Sequence, residues 1–485
     1  MKNRSYIGPI IIILTGISVF SYIAYKSTVS SFTHDESYTY LHFVSQSFMD
    51  IISNQGAFTN NHVLNTLFMK YSEILFGNSE IALRLPNLLM FLALLFYTWL
   101  LFRKKNQVIA VSIFVLMSTN TALTDFFGLA RGYGLSIGFM VMSIYHLISS
   151  FANNKKKHLV LFNLAALLAI LSSFTMLSYF VSALLVFNLV HITESRFITK
   201  EKFSLFKQNK VNIILFFFLL IVLYEPVRKA IKFNQFDFGG KQGFVTDTIT
   251  SLIYHTFTNV HLTPGGLLLL QISILALVFL SFIVILINTY IANKEFFSQN
   301  RSLIIVNIII LCLATETILQ HYIVKTDYLV GRFSLFFLPL LILNLGFLFQ
   351  YLLIFRYRFL SKGFIVILAI LSVSTFYTNK DLYSCADWGY DMETRNAVEA
   401  LVNYQHTAAL KPDSIRLGIN WVFEPTINFY IQTRKIKWLS PVDRNGFTEK
   451  DDYRYIFMAD SGALKRNHEV IFSSGRTNTL LIRVR

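Results

Sequence analysis

Charge is scarce in this sequence. Asp, Glu, Lys and Arg together make up 14% of its 485 residues, while 54% are hydrophobic. A soluble globular chain carries roughly 25% charged residues, so a single water-soluble globule is excluded. Cysteine is nearly absent. Of the two present, Cys312 falls inside an apolar run and Cys385 in a polar segment, so no disulfide is expected. There is no Walker motif, no G-x-S-x-G and no Cys/His metal spacing. His34, His42 and His62 share one loop but match no zinc pattern. No cofactor is expected, a divalent metal in that loop being the one alternative. The first apolar stretch, Tyr6 to Tyr25, has no A-x-A cleavage site and reads as a retained span rather than a signal peptide.

Apolar runs are plentiful, and Phe alone supplies 48 residues. A bilayer is crossed by about 20 apolar residues. Such runs fall near 6–25, 80–102, 107–123, 133–151, 158–175, 177–192, 211–228, 265–290, 302–319, 333–354 and 363–377. The net charge of +16 does not point to nucleic acid, because the basic residues form short blocks between these runs. The blocks are Lys2 and Arg4; Arg103, Lys104 and Lys105; Lys155, Lys156 and Lys157; Lys200, Lys202, Lys207 and Lys210; Lys294 and Arg301; and Arg356, Arg358 and Lys362. All fall on one side if the N-terminus is cytoplasmic, which places the C-terminus outside.

Three outer regions are then too long to be plain connectors: 27–79, 229–264 and 378–485. In the first, Thr33 and Glu36 have the spacing of a capping box. Tyr38, Leu41, Val44, Phe48 and Ile51 recur at helical spacing, as do Leu64, Leu67, Phe68, Tyr71, Ile74 and Leu75, with Gly77 as a stop. Two amphipathic helices lying on the outer membrane face are expected. In the tail, Met392 to Gln405 reads as a helix. Ile415 to Trp421, Tyr453 to Met458, Glu469 to Phe472 and Leu480 to Val484 read as strands. The expected fold is mainly α: a polytopic bundle of about 11 transmembrane helices, with amphipathic helices in the first outer loop and a small C-terminal α/β domain. The domains would be 1–377 and 378–485.

Asp35 and Glu36 follow the first span directly. Adjacent carboxylates at a membrane boundary suit a general base and its helper; equally, Glu36 completes the cap and Asp35 complements the helix N-terminus. Asn61-His62 heads the second amphipathic helix. Glu80 and Arg84 have the spacing of a simple helical ion pair. Arg131, preceded by Asp125 and followed by Gly132-Tyr133, opens the fourth span from outside, and Arg332 opens the tenth in the same way. Each arginine either snorkels to the interface or holds a phosphate there. Lys241 and Lys325 are further outer cations, against the general charge bias.

The set His34-Asp35-Glu36-Ser37-Tyr38, Asn61-His62, Phe76 to Pro86 and Ala130-Arg131-Gly132-Tyr133 resembles the GT-C superfamily of membrane glycosyltransferases. The resemblance is to bacterial protein O-mannosyltransferase and lipid A aminoarabinose transferase relatives, and covers about the first 150 residues. Gly331-Arg332-Phe333 with Pro339, and Asp387-Trp388-Gly389-Tyr390-Asp391 at the head of the tail, extend it. It implies that Asp35 is the catalytic carboxylate with Glu36 as partner, and that Arg131 and Arg332 lie near a donor phosphate; His62, Arg84, Asp125, Tyr133 and Lys241 are the further candidates for the substrate site. The chain departs from the family in having Val63-Leu64 where His-Pro-Pro is usual, and Gly132 where a bulky residue is usual.

The implied reaction moves a sugar from a polyprenyl-phosphate donor to a hydroxyl or phosphate of a lipid, glycan or protein, with inversion, at the outer face of the bacterial inner membrane. The donor phosphate is already a good leaving group, so arginine suffices to stabilise it. The competing class is a lipid or polysaccharide transporter, which would carry ionisable residues at mid-membrane. These runs are almost free of charge; Glu225 and Glu316 lie near outer ends.

Overall fold

The computed structural model describes residues 6–53, 61–151, 155–195, 205–232, 239–258, 260–291, 293–356, 358–407, 415–446, 453, 455–459 and 467–484. Lys2, Arg4, Lys200 and Lys202 of the basic blocks lie outside the described residues. Each apolar run coincides with a helix or helix pair. These are Ile7–Val29, Glu80–Phe102, Gln107–Ser118 with Thr121–Phe127, Gly132–Ser150, Lys155–Ser172, Met176–Glu194, Leu205–Lys232, Pro264–Tyr290, Arg301–Val324, Phe337–Leu352 and Arg358–Asn379. Among the described residues, seven helices are long and apolar enough to cross a membrane, or eight if the pair bent by 58° counts as one span. The chain is a multi-pass membrane protein. Lys155–Ser172 falls short because it spends its first turn on lysines, and Phe337–Leu352 because it has 16 residues. The bend has a cause in sequence, since the Asn120 side chain accepts from Leu123 N at 3.1 Å and starts a new helix.

In the loop after the first span, Thr33 and Glu36 form the expected capping box. The helix His34–Thr39 continues into a π-helical turn, Tyr40–Val44. Val63–Phe76 ends at Gly77, whose φ of +84° suits glycine. Its apolar stripe divides: Leu64 and Leu67 are buried, while Tyr71, Ile74 and Leu75 are exposed.

The tail contains the helices Thr394–Thr407 and Glu424–Thr433 and a four-stranded sheet. Strand β1 (Leu417–Ile419) runs parallel to β2 (Tyr455–Ala459), which pairs antiparallel with β4 (Thr479–Val484), and β4 with β3 (His468–Ser474). Its apolar core does not close on itself. Phe32 stacks on Phe429 with ring centroids 4.2 Å apart, and Tyr40 meets the same ring edge-on at 5.1 Å. Phe32 N donates to the Tyr430 hydroxyl at 2.8 Å. The tail is thereby packed onto the segment that carries Asp35 and Glu36.

Candidate active site

Glu36 and Arg84 are fully buried and paired with each other. Arg84 Nε and Nη2 donate to Glu36 Oε1 and Oε2 at 2.8 and 2.7 Å. Its remaining N–H groups reach Ser27 O, Ser30 O, Ser30 Oγ and Ser31 O at 2.7–3.2 Å. A guanidinium has five N–H donors, and all are occupied. Glu36 also accepts from Thr33 N at 2.9 Å and Ala130 N at 2.5 Å. This knot ties the C-terminal end of the first span to the second and to the start of the fourth. Glu80, four residues before Arg84, faces Arg395 of the tail instead, at 3.6 Å.

The start of the fourth span is built to present Arg131. Asn65 Nδ2 donates to Ala130 O at 2.8 Å, and Asn87 Oδ1 accepts from Leu135 N at 3.2 Å, which satisfies one of the helix's free first-turn donors. Arg131, itself buried, turns back to Thr39 Oγ1 at 3.0 Å and to the Asp35 carbonyl at 3.3 Å. Its Nη2 lies 3.3 Å from Asp35 Oδ2. Arg332 Nη2 lies 3.4 Å from that same oxygen. The two arginines, some 200 residues apart in sequence, thus converge on one carboxylate atom. Burial pushes the Asp35 carboxyl up, but the Arg131 and Arg332 charges outweigh it and hold the group below the usual carboxylate range. Oδ2 accepts no regular hydrogen bond among the described residues.

Beyond Arg332 the network continues into residues that sequence reasoning did not place in the site. Arg332 Nη1 lies 3.4 Å from Asp387 Oδ2, and Asp387 Oδ1 lies 3.6 Å from His255 Nε2. The guanidinium of Arg332 sits 4.7 Å from the centre of the buried Trp388 ring and 5.9 Å from that of Tyr133. Asp387 and Trp388 were visible only as part of a family-like segment, and nothing in the sequence singled out His255.

His62 Nδ1 lies 2.7 Å from Ser172 O. A carbonyl only accepts, so Nδ1 carries the proton. Burial, and then the Arg131 charge, push this imidazole well below its ordinary pKa. Its ring meets Tyr133 edge-on at 4.9 Å. The departure at Gly132 now has a reason: a Cβ there would lie 1.8 Å from Ser172 O and 2.6 Å from His62 Nδ1. Asp125 pairs with Lys26 at 2.6 Å. Lys241 is exposed, on a loop joined by Gly240 to Tyr328 through two backbone hydrogen bonds of 3.0 and 2.8 Å; Lys325 is exposed as well. Among the described residues no group of three or more His, Cys, Asp or Glu side chains is placed to hold a metal.

No protein-family model matches the chain, and no curated protein matches it. Solved structures do. Apo ArnT from Cupriavidus metallidurans superposes with a TM-score of 0.50 over 97% of this chain and 97% of that one, at 12% identity. The same protein bound to undecaprenyl phosphate gives a TM-score of 0.43 over 99% of this chain and 98% of that one, at 11% identity. The chain has the fold of ArnT. The likeness first read from motifs in about the first 150 residues extends, as fold, along nearly the whole chain.

Proposed function

We propose that this protein is a membrane glycosyltransferase that moves a sugar from a polyprenyl-phosphate donor to a hydroxyl or phosphate acceptor at the outer face of the bacterial inner membrane, inverting the anomeric carbon. The observation that carries the reading is the convergence of Arg131 and Arg332 on Asp35 Oδ2, in a cluster drawn from the loops at one end of an apolar bundle. Guanidinium forks bind phosphate oxygens better than a carboxylate 3.3–3.4 Å away. An arriving donor phosphate takes their N–H groups and releases Asp35 Oδ2. Asp35 then accepts the acceptor's proton as its oxygen attacks the anomeric carbon. The arginines stabilise the charge that develops on the departing phosphate, and no covalent sugar–enzyme step is needed.

In this reading Glu36 and Arg84 are positioning residues, and Asp125 acts through Lys26 rather than on substrate. His62 and Tyr133 wall the sugar side, and Lys241 lies at the entrance. The catalytic bundle is 1–377, and 378–485 forms an outer domain that roofs it. The test is a transfer assay in lipid nanodiscs with a panel of polyprenyl-phosphate sugars, following release of free polyprenyl phosphate. Release dependent on acceptor and absent in Asp35→Asn is expected. A wild-type protein that binds such lipids yet releases no phosphate with any sugar or acceptor class would overturn the reading.

A further inference from the structure

We infer that Asp387 is a built-in rival of the donor phosphate for Arg332, supplied by the C-terminal segment. The inference rests on the reading above, in which Arg332 receives that phosphate.

Arg332 lies between two carboxylates, with Nη2 3.4 Å from Asp35 and Nη1 3.4 Å from Asp387. Well-made charge-assisted bonds are about 2.7–2.9 Å long. Neither contact is that short, so both are open to exchange for a phosphate oxygen. The charges of Arg131 and Arg332 are matched by those of Asp35 and Asp387; a phosphate adds negative charge that the cluster must shed. Asp387 has somewhere to go, because its other oxygen already faces His255 Nε2 at 3.6 Å. The neighbouring Trp388 ring lies 4.7 Å from the Arg332 guanidinium and holds its plane while the anion on its edge changes. The far end of the same turn is pinned: Asp391 accepts from Thr394 Oγ1 at 2.7 Å and from Thr426 Oγ1 at 2.6 Å. The exchange is therefore confined to the start of the turn Ala386–Asp391, where Trp388 already departs from helical geometry (φ −128°, ψ 35°). Asp387 weakens donor binding and, by returning to Arg332 after transfer, speeds departure of the lipid phosphate.

The experiment measures binding of undecaprenyl monophosphate to full-length protein in nanodiscs, together with KM and kcat for the donor. Asp387 is part-exposed, so its rivalry has the size of an ordinary ion pair. Asp387→Asn is expected to tighten binding about three- to tenfold and to lower the donor KM with no rise in kcat. Asp387→Glu should stay near wild type. A residue that only props Arg332 in place predicts the reverse for Asp387→Asn; weakened or unchanged binding overturns the inference. Should Asp387→Asn not fold, the lipid phosphate must still change the emission of Trp388 in the otherwise native protein, a change lost in Trp388→Phe; no such change also overturns it. Arg332→Gln separates the two layers. If that variant binds the lipid as tightly as wild type, the phosphate site itself is wrong, whatever Asp387 does.

Discussion

Successive residues of an α-helix point about 100° apart, and that angle divides the work of Asp35 and Glu36. One faces Arg131 and Arg332 at the rim, and the other is driven into the protein against Arg84. Their neutral variants should fail differently. Asp35→Asn keeps shape and removes the proton acceptor, so transfer should fall about 100- to 10,000-fold, with a smaller drop in melting temperature than Glu36→Gln, because Arg332 keeps Asp387 and Arg131 keeps Thr39 and the residue-35 carbonyl. Glu36→Gln leaves the Arg84 charge buried and unpaired, a loss of about 3–5 kcal/mol, which should appear as a lower melting temperature and poor recovery from membranes. Equal thermal stability of the two variants would refute the division. Gly132 offers a second contrast. The Ser172 carbonyl, 1.8 Å from where a Cβ on residue 132 would lie, is backbone and cannot turn aside. Gly132→Ala should therefore cost about 1–3 kcal/mol and displace His62 from its bond to Ser172, seen as reduced thermal stability and weakened activity. A fully active, equally stable Gly132→Ala would show that the close approach is not required.

At the scale of elements, the helices were legible as apolar runs, and β1 as the alternation of Ile415, Leu417 and Ile419, all three of them buried. The capping box was legible because Thr33 and Glu36 are three residues apart. What pairs with Arg84 was not, since Glu80 lies at ideal helical spacing and the partner, Glu36, comes from a different element. Local spacing cannot reveal which of two carboxylates a buried guanidinium will choose. Asp387 and His255 were hidden for the same reason: each belongs to a different element, the turn Ala386–Asp391 and the helix Thr250–Thr256, and they meet only after folding. The division of the tail at 377/378 was drawn from composition, which does not register that Phe32 and Tyr40 pack into the tail's core. One buried group at that seam makes a measurable prediction. Burial pushes the Asp391 carboxyl up to about 7, against the opposing pull of the Thr426 and Thr394 hydroxyls. In the unfolded chain an aspartate ionises near about 3.9. Between these values the folded state holds a proton that the unfolded state has lost, so stability falls as pH rises from about 4 to about 7 and levels off above. In Asp391→Asn this contribution is absent. The difference in melting temperature between wild type and Asp391→Asn should therefore shift against wild type across that window; a difference that does not vary with pH would place the Asp391 pKa elsewhere.

The whole molecule stakes most on its orientation. Asp35, Arg131, His255, Arg332 and Asp387 come from five separated stretches of chain, yet they meet in one network. Every one of these stretches falls outside if the N-terminus is cytoplasmic. The connectors holding Arg103, Lys104 and Lys105, and Lys156 and Lys157, then fall inside, where basic residues accumulate. The packing brings these five stretches together at one end of the bundle, and the charge bias, set by membrane insertion, is what would put that end outside. The C-terminal segment must accompany the site, because Arg395 Nη1 donates to Thr28 O at 2.7 Å and His34 Nδ1 meets Val422 O at 2.6 Å, both on the side of Asp35. A reporter that works only outside the cytoplasm should therefore be active when fused after Arg485 and inactive when fused after Lys156. A reporter that works only in the cytoplasm should give the opposite pair. Activity of the outside reporter at Lys156 would put Asp35 and both arginines on the cytoplasmic face. The same network would then have to act on a donor presented there, and the outer-face reaction would be lost with the topology.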